Sequence, residues 1–297
     1  MSDYYGLSTG RLENDHLYLD YLTAAGPRIV RLVPKANGQN LLAEVPDVTL
    51  SSPHGRYSLR GGHRLWYAPE TAARTYIPDD EPPAVELLDG GVRLQQPVEA
   101  YTGIRKIMEV RLDPAQPRVA VRHVLRNDGW EPFELAPWAI TQMVLGGTAV
   151  LPQQVGPLDQ EGLQPNRHLV LWPYSRWQDP RLRLADELIF VTGAPIAHPL
   201  KIGIFNRQGW FGYLIGETFF RKQFTPQPDR PHSDFHSNCQ IYVNHQFLEL
   251  ELLGPLQTLA PAEELTHLEM WELFPASAPA ADLDNLRPFL QDLPHPQ

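Results

Sequence analysis

The run Phe247-Leu248-Glu249-Leu250-Glu251-Leu252-Leu253-Gly254-Pro255 repeats two carboxylates at strand period inside a leucine-rich segment. Alternate side chains of a strand share a face. Leu248, Leu250 and Leu252 are therefore expected in a core, with Phe247, Glu249 and Glu251 together on the opposite face, beside a turn at Gly254-Pro255. That face is either solvated or the wall of a site. In a site, a carboxylate can act as a general base once burial and neighbours tune its pKa.

Three other constellations could carry chemistry. In Arg60-Gly61-Gly62-His63-Arg64-Leu65-Trp66-Tyr67-Ala68-Pro69-Glu70, a diglycine permits close backbone approach and is followed by an arginine, an indole and a carboxylate. Indole faces stack on apolar C–H surfaces, and guanidinium donates paired hydrogen bonds to oxygen. The alternative is a tight turn in which Trp66 is core and Arg64 and Glu70 form a structural ion pair. In His232-Ser233-Asp234-Phe235-His236, an extended chain would put His232, Asp234 and His236 on one face, a conceivable divalent-metal triad or, more simply, a hydrogen-bonded loop. Trp138, in Leu135-Ala136-Pro137-Trp138-Ala139-Ile140-Thr141-Gln142, shares strand parity with Gln142 and either faces a site or fills the core. His267, Glu269 and Trp271 form a further alternating face, for which a structural role is the expectation.

These residues need elements to position them, and composition narrows the choice. Thirty prolines and 21 glycines punctuate the 297 residues closely, which favours short strands and loops over long helices. Strand-like alternation marks 104–112 and 118–126, where Arg118, Arg122 and Arg126 oppose Val119, Val121, His123 and Leu125. Further strands are expected near 16–22, 28–33, 92–96, 133–144, 168–172, 201–206, 210–216, 240–244, 247–253 and 265–274, while 181–190 is ambiguous. The stretch 223–238 reads as a long loop, and long loops inside domains are often functional. A helix is expected near 282–292 from the spacing of Leu283, Leu286, Leu290 and Leu293, broken or restarted at Pro288. Together these give an all-β protein: a large antiparallel β-sandwich over 1–275 as one domain, with 276–297 a C-terminal appendage behind a proline-rich connection at 275–281.

A net charge of -10 opposes nucleic acid or an anionic membrane as the main partner, since both need a basic footprint. The lone Cys239 excludes an intramolecular disulfide and a multi-cysteine zinc site. No basic, apolar leader and no run of roughly 18 apolar residues occurs, so a cytoplasmic protein is expected. The phosphate-binding pattern Gly-x-x-x-x-Gly-Lys-Ser/Thr, the dinucleotide fingerprint and His-Glu-x-x-His are absent. No metal or other cofactor is assigned, and what chemistry remains is acid–base work by carboxylate or histidine.

The order of strand patterns, Arg60-Gly61-Gly62 leading to an aromatic and Pro69, and Glu251-Leu252-Leu253-Gly254-Pro255 followed by Leu259-Ala260-Pro261-Ala262-Glu263 resemble the galactose mutarotase-like superfamily, in an uncharacterised bacterial branch. The likeness covers most of residues 10–275. It implies a β-supersandwich with a sugar-binding groove on one concave sheet, a small-molecule carbohydrate as partner and aldose 1-epimerase chemistry, in which a glutamate takes the anomeric hydroxyl proton and a histidine protonates the ring oxygen. Glu251 matches the glutamate, and Arg64 lies near the family's sugar-contacting arginine. With the constellations above, the substrate-binding candidates are Arg64, Trp66, Glu70, Trp138, Asp234 and Glu249, and the catalytic candidate is Glu251. The sequence also departs from the family: where the histidine opens a His-x-Tyr-Phe-like strand, this chain has Trp138-Ala139-Ile140-Thr141. Loss of a proton donor typically costs about two to four powers of ten in rate. His63 and His236 are the candidate substitute donors, and the competing expectations are a non-catalytic sugar-binding module or a lyase or isomerase on the same scaffold.

Overall fold

A computed structural model describes residues 3–276 and 283–294, so the expected connection at 275–281 lies mostly outside the described residues. Two large antiparallel sheets pack face to face. The eleven-stranded sheet runs in the order Asp3–Tyr4, Leu7–Glu13, Leu17–Leu22, Ile29–Pro34, His63–Ala68, Phe133–Met143, Leu248–Leu253, Cys239–Val243, Leu200–Ile204 and Val170–Leu171, with Gln257–Leu259 pairing aside to Phe133–Met143. The ten-stranded sheet runs Leu182–Leu184, Leu188–Thr192, Thr148–Pro152, Trp210–Ile215, Thr218–Gln223, Glu264–Pro275, Arg118–Asn127, Ile104–Leu112, Gly91–Gln95 and Ala84–Leu88.

The alternation expected at 248–253 is met: Leu248, Leu250 and Leu252 are buried in the core between the sheets, against residues such as Val121, Phe220 and Trp271 of the facing sheet. Burying each leucine is worth about 1.5–3 kcal/mol relative to exposure. The strands expected near 16–22, 28–33, 92–96 and 240–244 lie within a residue or two of those positions. The ambiguous 181–190 segment forms the short strand Leu182–Leu184 and the start of Leu188–Thr192.

Residues 63–68 and 218–223, His63-Arg64-Leu65-Trp66-Tyr67-Ala68 and Thr218-Phe219-Phe220-Arg221-Lys222-Gln223, show no alternation and still form strands, every residue of each being buried. With both faces covered, polar residues mark contacts rather than solvent. The diglycine serves the protein's own backbone: a Cβ on Gly61 would lie 2.0 Å from the Ala43 carbonyl oxygen, and one on Gly62 2.0 Å from that of Ile29. There the chain passes from a separate hairpin, Glu44–Ser52 with Gly55–Gly61, into the large sheet. Buried Arg28 fastens that hairpin, donating to the Leu59 and Gly61 carbonyls, the Tyr57 hydroxyl and Asp79.

The helix Leu283–Asp292 continues through Pro288, where a break was expected. Leu286 is buried against Val150, Phe190, Leu214 and Phe219, and that packing offsets the single backbone bond that the proline removes. No helix among the described residues is long and apolar enough to cross a membrane.

The inter-sheet core also holds a polar network. His63 Nδ1 pairs with the Thr141 hydroxyl at 2.9 Å and His63 Nε2 with His123 Nε2 at 2.8 Å, while Lys222 Nζ contacts Thr141 Oγ1 at 3.1 Å and Glu269 Oε1 at 2.9 Å. Trp271 Nε1 donates to the other Glu269 oxygen at 2.8 Å. Burial holds His63 well below the usual histidine range and brings His123 and His267 each down to about 3. The unfolded chain therefore takes up protons near pH 6.5 that the folded chain refuses. Stability is full above pH 6.5 and falls as pH drops below it, by about 1.4 kcal/mol per pH unit for each histidine. Urea unfolding between pH 7.5 and 5 should show this as a falling midpoint, and His123→Gln should flatten the slope by about one proton.

Candidate functional site

The register of the central strands decides which residues share the outer face of the eleven-stranded sheet. Trp138 lies opposite Trp66 and Leu253, Ile140 opposite Arg64 and Glu251, and Gln142 opposite Glu249. On the far side, Gln240 pairs with Glu251, Tyr242 with Glu249, and Lys201 with Tyr242. Since alternate residues share a face, Arg64, Trp66, Trp138, Gln142, Glu249, Glu251 and Lys201 stand on the side opposite the leucine core.

Over this face lies a cavity of about 330 Å³. Arg64, Trp66, Trp138, Lys201 and Glu249 line it from the sheet, Glu70 and Tyr76 from the following loop, and Val48, Leu50 and Leu59 from the hairpin. A larger cavity of about 420 Å³ lies near Pro34, Pro117 and Phe274, with a mainly apolar lining that includes His16 and Glu217 but no indole, arginine or lysine. The smaller cavity is the better candidate because aromatic surface and paired charges converge on it.

The charges are arranged as diagonal pairs across the sheet. Arg64 Nη2 donates to Glu249 Oε1 at 2.9 Å, as does Gln142 Nε2 at 2.9 Å, and the Arg64 guanidinium lies 4.1 Å from the Trp66 ring centroid. Arg64 Nε and Nη1 and Gln142 Oε1 are buried without a hydrogen-bond partner among the described residues. Glu70 accepts a hydrogen bond from the Tyr76 hydroxyl.

Glu251 is fully buried and does not line the cavity directly. Its Oε2 accepts from Trp138 Nε1 at 2.7 Å and from Lys201 Nζ at 2.9 Å, and both donors do line the cavity. Its Oε1 has no partner among the described residues. Burial pushes this carboxyl up to about 7; the Lys201 ammonium opposes the shift and Glu249 adds to it. Lys201 itself sits between two indoles, 4.8 Å from the Trp138 ring and 4.7 Å from the Trp172 ring.

Of the residues singled out in the sequence, Arg64, Trp66, Glu70, Trp138 and Glu249 thus meet at one cavity, with Glu251 directly behind its wall. His63 does not join them. It has the opposite strand parity to Arg64 and lies in the inter-sheet network, fully buried. His232, Asp234 and His236 are not extended: Asp234, Phe235 and His236 adopt φ of 51°, 53° and 64°, a left-handed turn. Asp234 there accepts from Gln240 Nε2 at 2.7 Å, and His236 stacks on Phe205 with ring centroids 4.6 Å apart. Neither residue lines the cavity.

Among the described residues, the group with metal-ligand spacing is His63, His123 and Glu269, whose ligand atoms lie within 4.8 Å of one another. The donor set fits a cation poorly. Lys222 already neutralises Glu269, and the two histidines hydrogen-bond each other, so an ion would have to displace a buried ammonium. Sequence reasoning passed over Lys201, although a lone lysine in the apolar strand Leu200–Ile204 was the available signal.

Breaking the buried Arg64–Glu249 pair should be expensive. Glu249→Leu leaves the guanidinium buried and unpaired, with an expected loss of about 3–5 kcal/mol. The double variant Arg64→Met/Glu249→Leu should recover most of that loss in urea unfolding.

No protein-family model matches the chain, and no curated protein does. Solved structures do. A galactose mutarotase-like protein from Lactobacillus casei ATCC 334 superposes with a TM-score of 0.58 at 14% identity, covering 90% of this chain and 100% of that one. A galactose mutarotase related enzyme from Lactobacillus acidophilus gives 0.51 at 8% identity, covering 93% and 100%. A TPR-domain containing protein from Parabacteroides distasonis ATCC 8503 gives 0.62 at 13% identity, covering 92% of this chain and 48% of that one. At these identities the likeness shows the fold alone: this chain has the galactose mutarotase-like fold.

Proposed function

We propose that the cavity binds a small carbohydrate and that the protein interconverts the anomers of an aldose, with Glu251 as the base that takes the anomeric hydroxyl proton. The observation that carries this reading is a fully buried carboxylate with its pKa raised to about 7, directly behind a cavity walled by indoles and paired charges. A base poised near neutral pH combines a useful ionised fraction with real basicity. The faces of Trp66 and Trp138 suit the apolar side of a pyranose. The unpaired donors of Arg64, which lines the cavity, suit its hydroxyl groups, because buried polar atoms gain most from a partner. Glu249 and Glu70 then act as hydroxyl anchors.

A second reading, a sugar-binding module without turnover, draws support from Trp138, which stands where the family resemblance calls for an acid and closes over Glu251 through a 2.7 Å hydrogen bond. Polarimetry and NMR exchange on several free aldoses and their phosphates separate the two. Anomerisation well above the buffer rate, reduced at least a hundredfold in Glu251→Gln, is the expected result. Saturable binding at the buffer rate would select the binding module, and neither binding nor turnover would remove the carbohydrate reading.

A further inference from the structure

Aldose anomerisation needs an acid for the ring oxygen as well as a base for the anomeric hydroxyl, and the strand position implied for that acid holds Trp138, an indole without a transferable proton at neutral pH. The two histidines that could replace it are elsewhere. His63 is in the inter-sheet core, and His236 is stacked on Phe205 away from the cavity.

We propose that Lys201, from a neighbouring strand, is the missing acid: its ammonium protonates the ring oxygen while Glu251 takes the anomeric proton. This rests on the anomerase reading above. Of the two cavity-lining residues that touch Glu251, Trp138 and Lys201, only the lysine carries a proton it can transfer, and its Nζ lies 2.9 Å from Oε2. An acid and a base that close together suit the ring oxygen and the anomeric oxygen, two atoms bonded to the same carbon. The backbone of the lysine is anchored, which leaves its side chain to move between the two indoles. Its backbone N–H donates to the Ser175 hydroxyl at 2.9 Å, its carbonyl accepts from that hydroxyl at 2.6 Å, and Trp138 and Trp172 flank its ammonium.

One motion of this side chain serves both halves of the step. Turning from Glu251 Oε2 toward a bound sugar brings the ammonium to the ring oxygen and opens the carboxylate to the anomeric hydroxyl. It also removes the cation that restrains Glu251, which makes the carboxylate a stronger base. In the step, the O1–H proton goes to Glu251 and the O1 electron pair forms C1=O1. The C1–O5 bond breaks, and its electron pair on O5 takes a proton from Lys201. The site then holds an open-chain aldehyde, a neutral amine and a carboxylic acid. Reclosure on the other aldehyde face returns both protons, so no co-reactant is required.

The test compares wild type with Lys201→Arg and Lys201→Ala, following aldose anomerisation by polarimetry and sugar binding by calorimetry. Arginine keeps the charge beside Glu251 but holds its proton too tightly to donate it. The expected result is a fall in kcat of about 10²–10⁴ in Lys201→Arg with KM changed only a few-fold, and partial recovery of Lys201→Ala by added ethylamine. The double variant Lys201→Met/Glu251→Gln, which removes both charges, controls for misfolding and should bind sugar without turnover. If wild type anomerises the sugar and Lys201→Arg keeps within about threefold of its rate, the Lys201 assignment falls and the anomerase reading stands. If wild type itself does not exceed buffer, both fall.

Discussion

A strand has only two faces, and at the centre of the larger sheet both are buried. The leucines of the Leu248–Leu253 strand must enter the inter-sheet core, so the intervening glutamates cannot escape to solvent by rotation. A register slip of one residue would put carboxylates in the leucine core. The charged face is therefore fixed by the apolar one. Every charge on it has had to find a partner: Arg64 for Glu249, and Lys201 with Trp138 for Glu251.

The same constraint explains why polar groups lie on both sides of the sheet. Behind the Trp138 strand, Thr141 joins His63 and Lys222 in a closed inter-sheet network. In front of it, Arg64 lines the cavity and has two unpaired nitrogens, while Gln142 and Glu251, behind the wall, each keep one unpaired oxygen. A satisfied network rigidifies a core, whereas unpaired buried groups are what a ligand can satisfy. His63 and His123 meet on the inter-sheet side, away from the cavity. The cavity side carries carboxylates, a lysine and an arginine among indoles.

The hairpin between Glu44 and Gly61 forms the opposite wall, and its attachment depends on Arg28 and the two glycines that let its strands meet the large sheet closely. The cavity thus belongs to the join between a rigid sheet and a separately fastened hairpin. No single strand could supply it.

Strand period alone separated Leu248, Leu250 and Leu252 from Glu249 and Glu251, because alternation is a local property of backbone geometry. It likewise marked the strands at 104–112 and 118–126, whose outer faces meet water. His63–Ala68 and Thr218–Gln223, as fully buried as Leu248–Leu253 but without its alternation, were silent, since polar residues there answer to tertiary partners. Tertiary structure alone sent His63 to the core and curled Asp234–His236 into a left-handed turn. It also set Lys201 against Glu251, across 50 residues of chain. Which face a side chain occupies is written in its neighbours along the strand. What it meets there is settled by register between strands far apart in sequence, and that information no single segment contains.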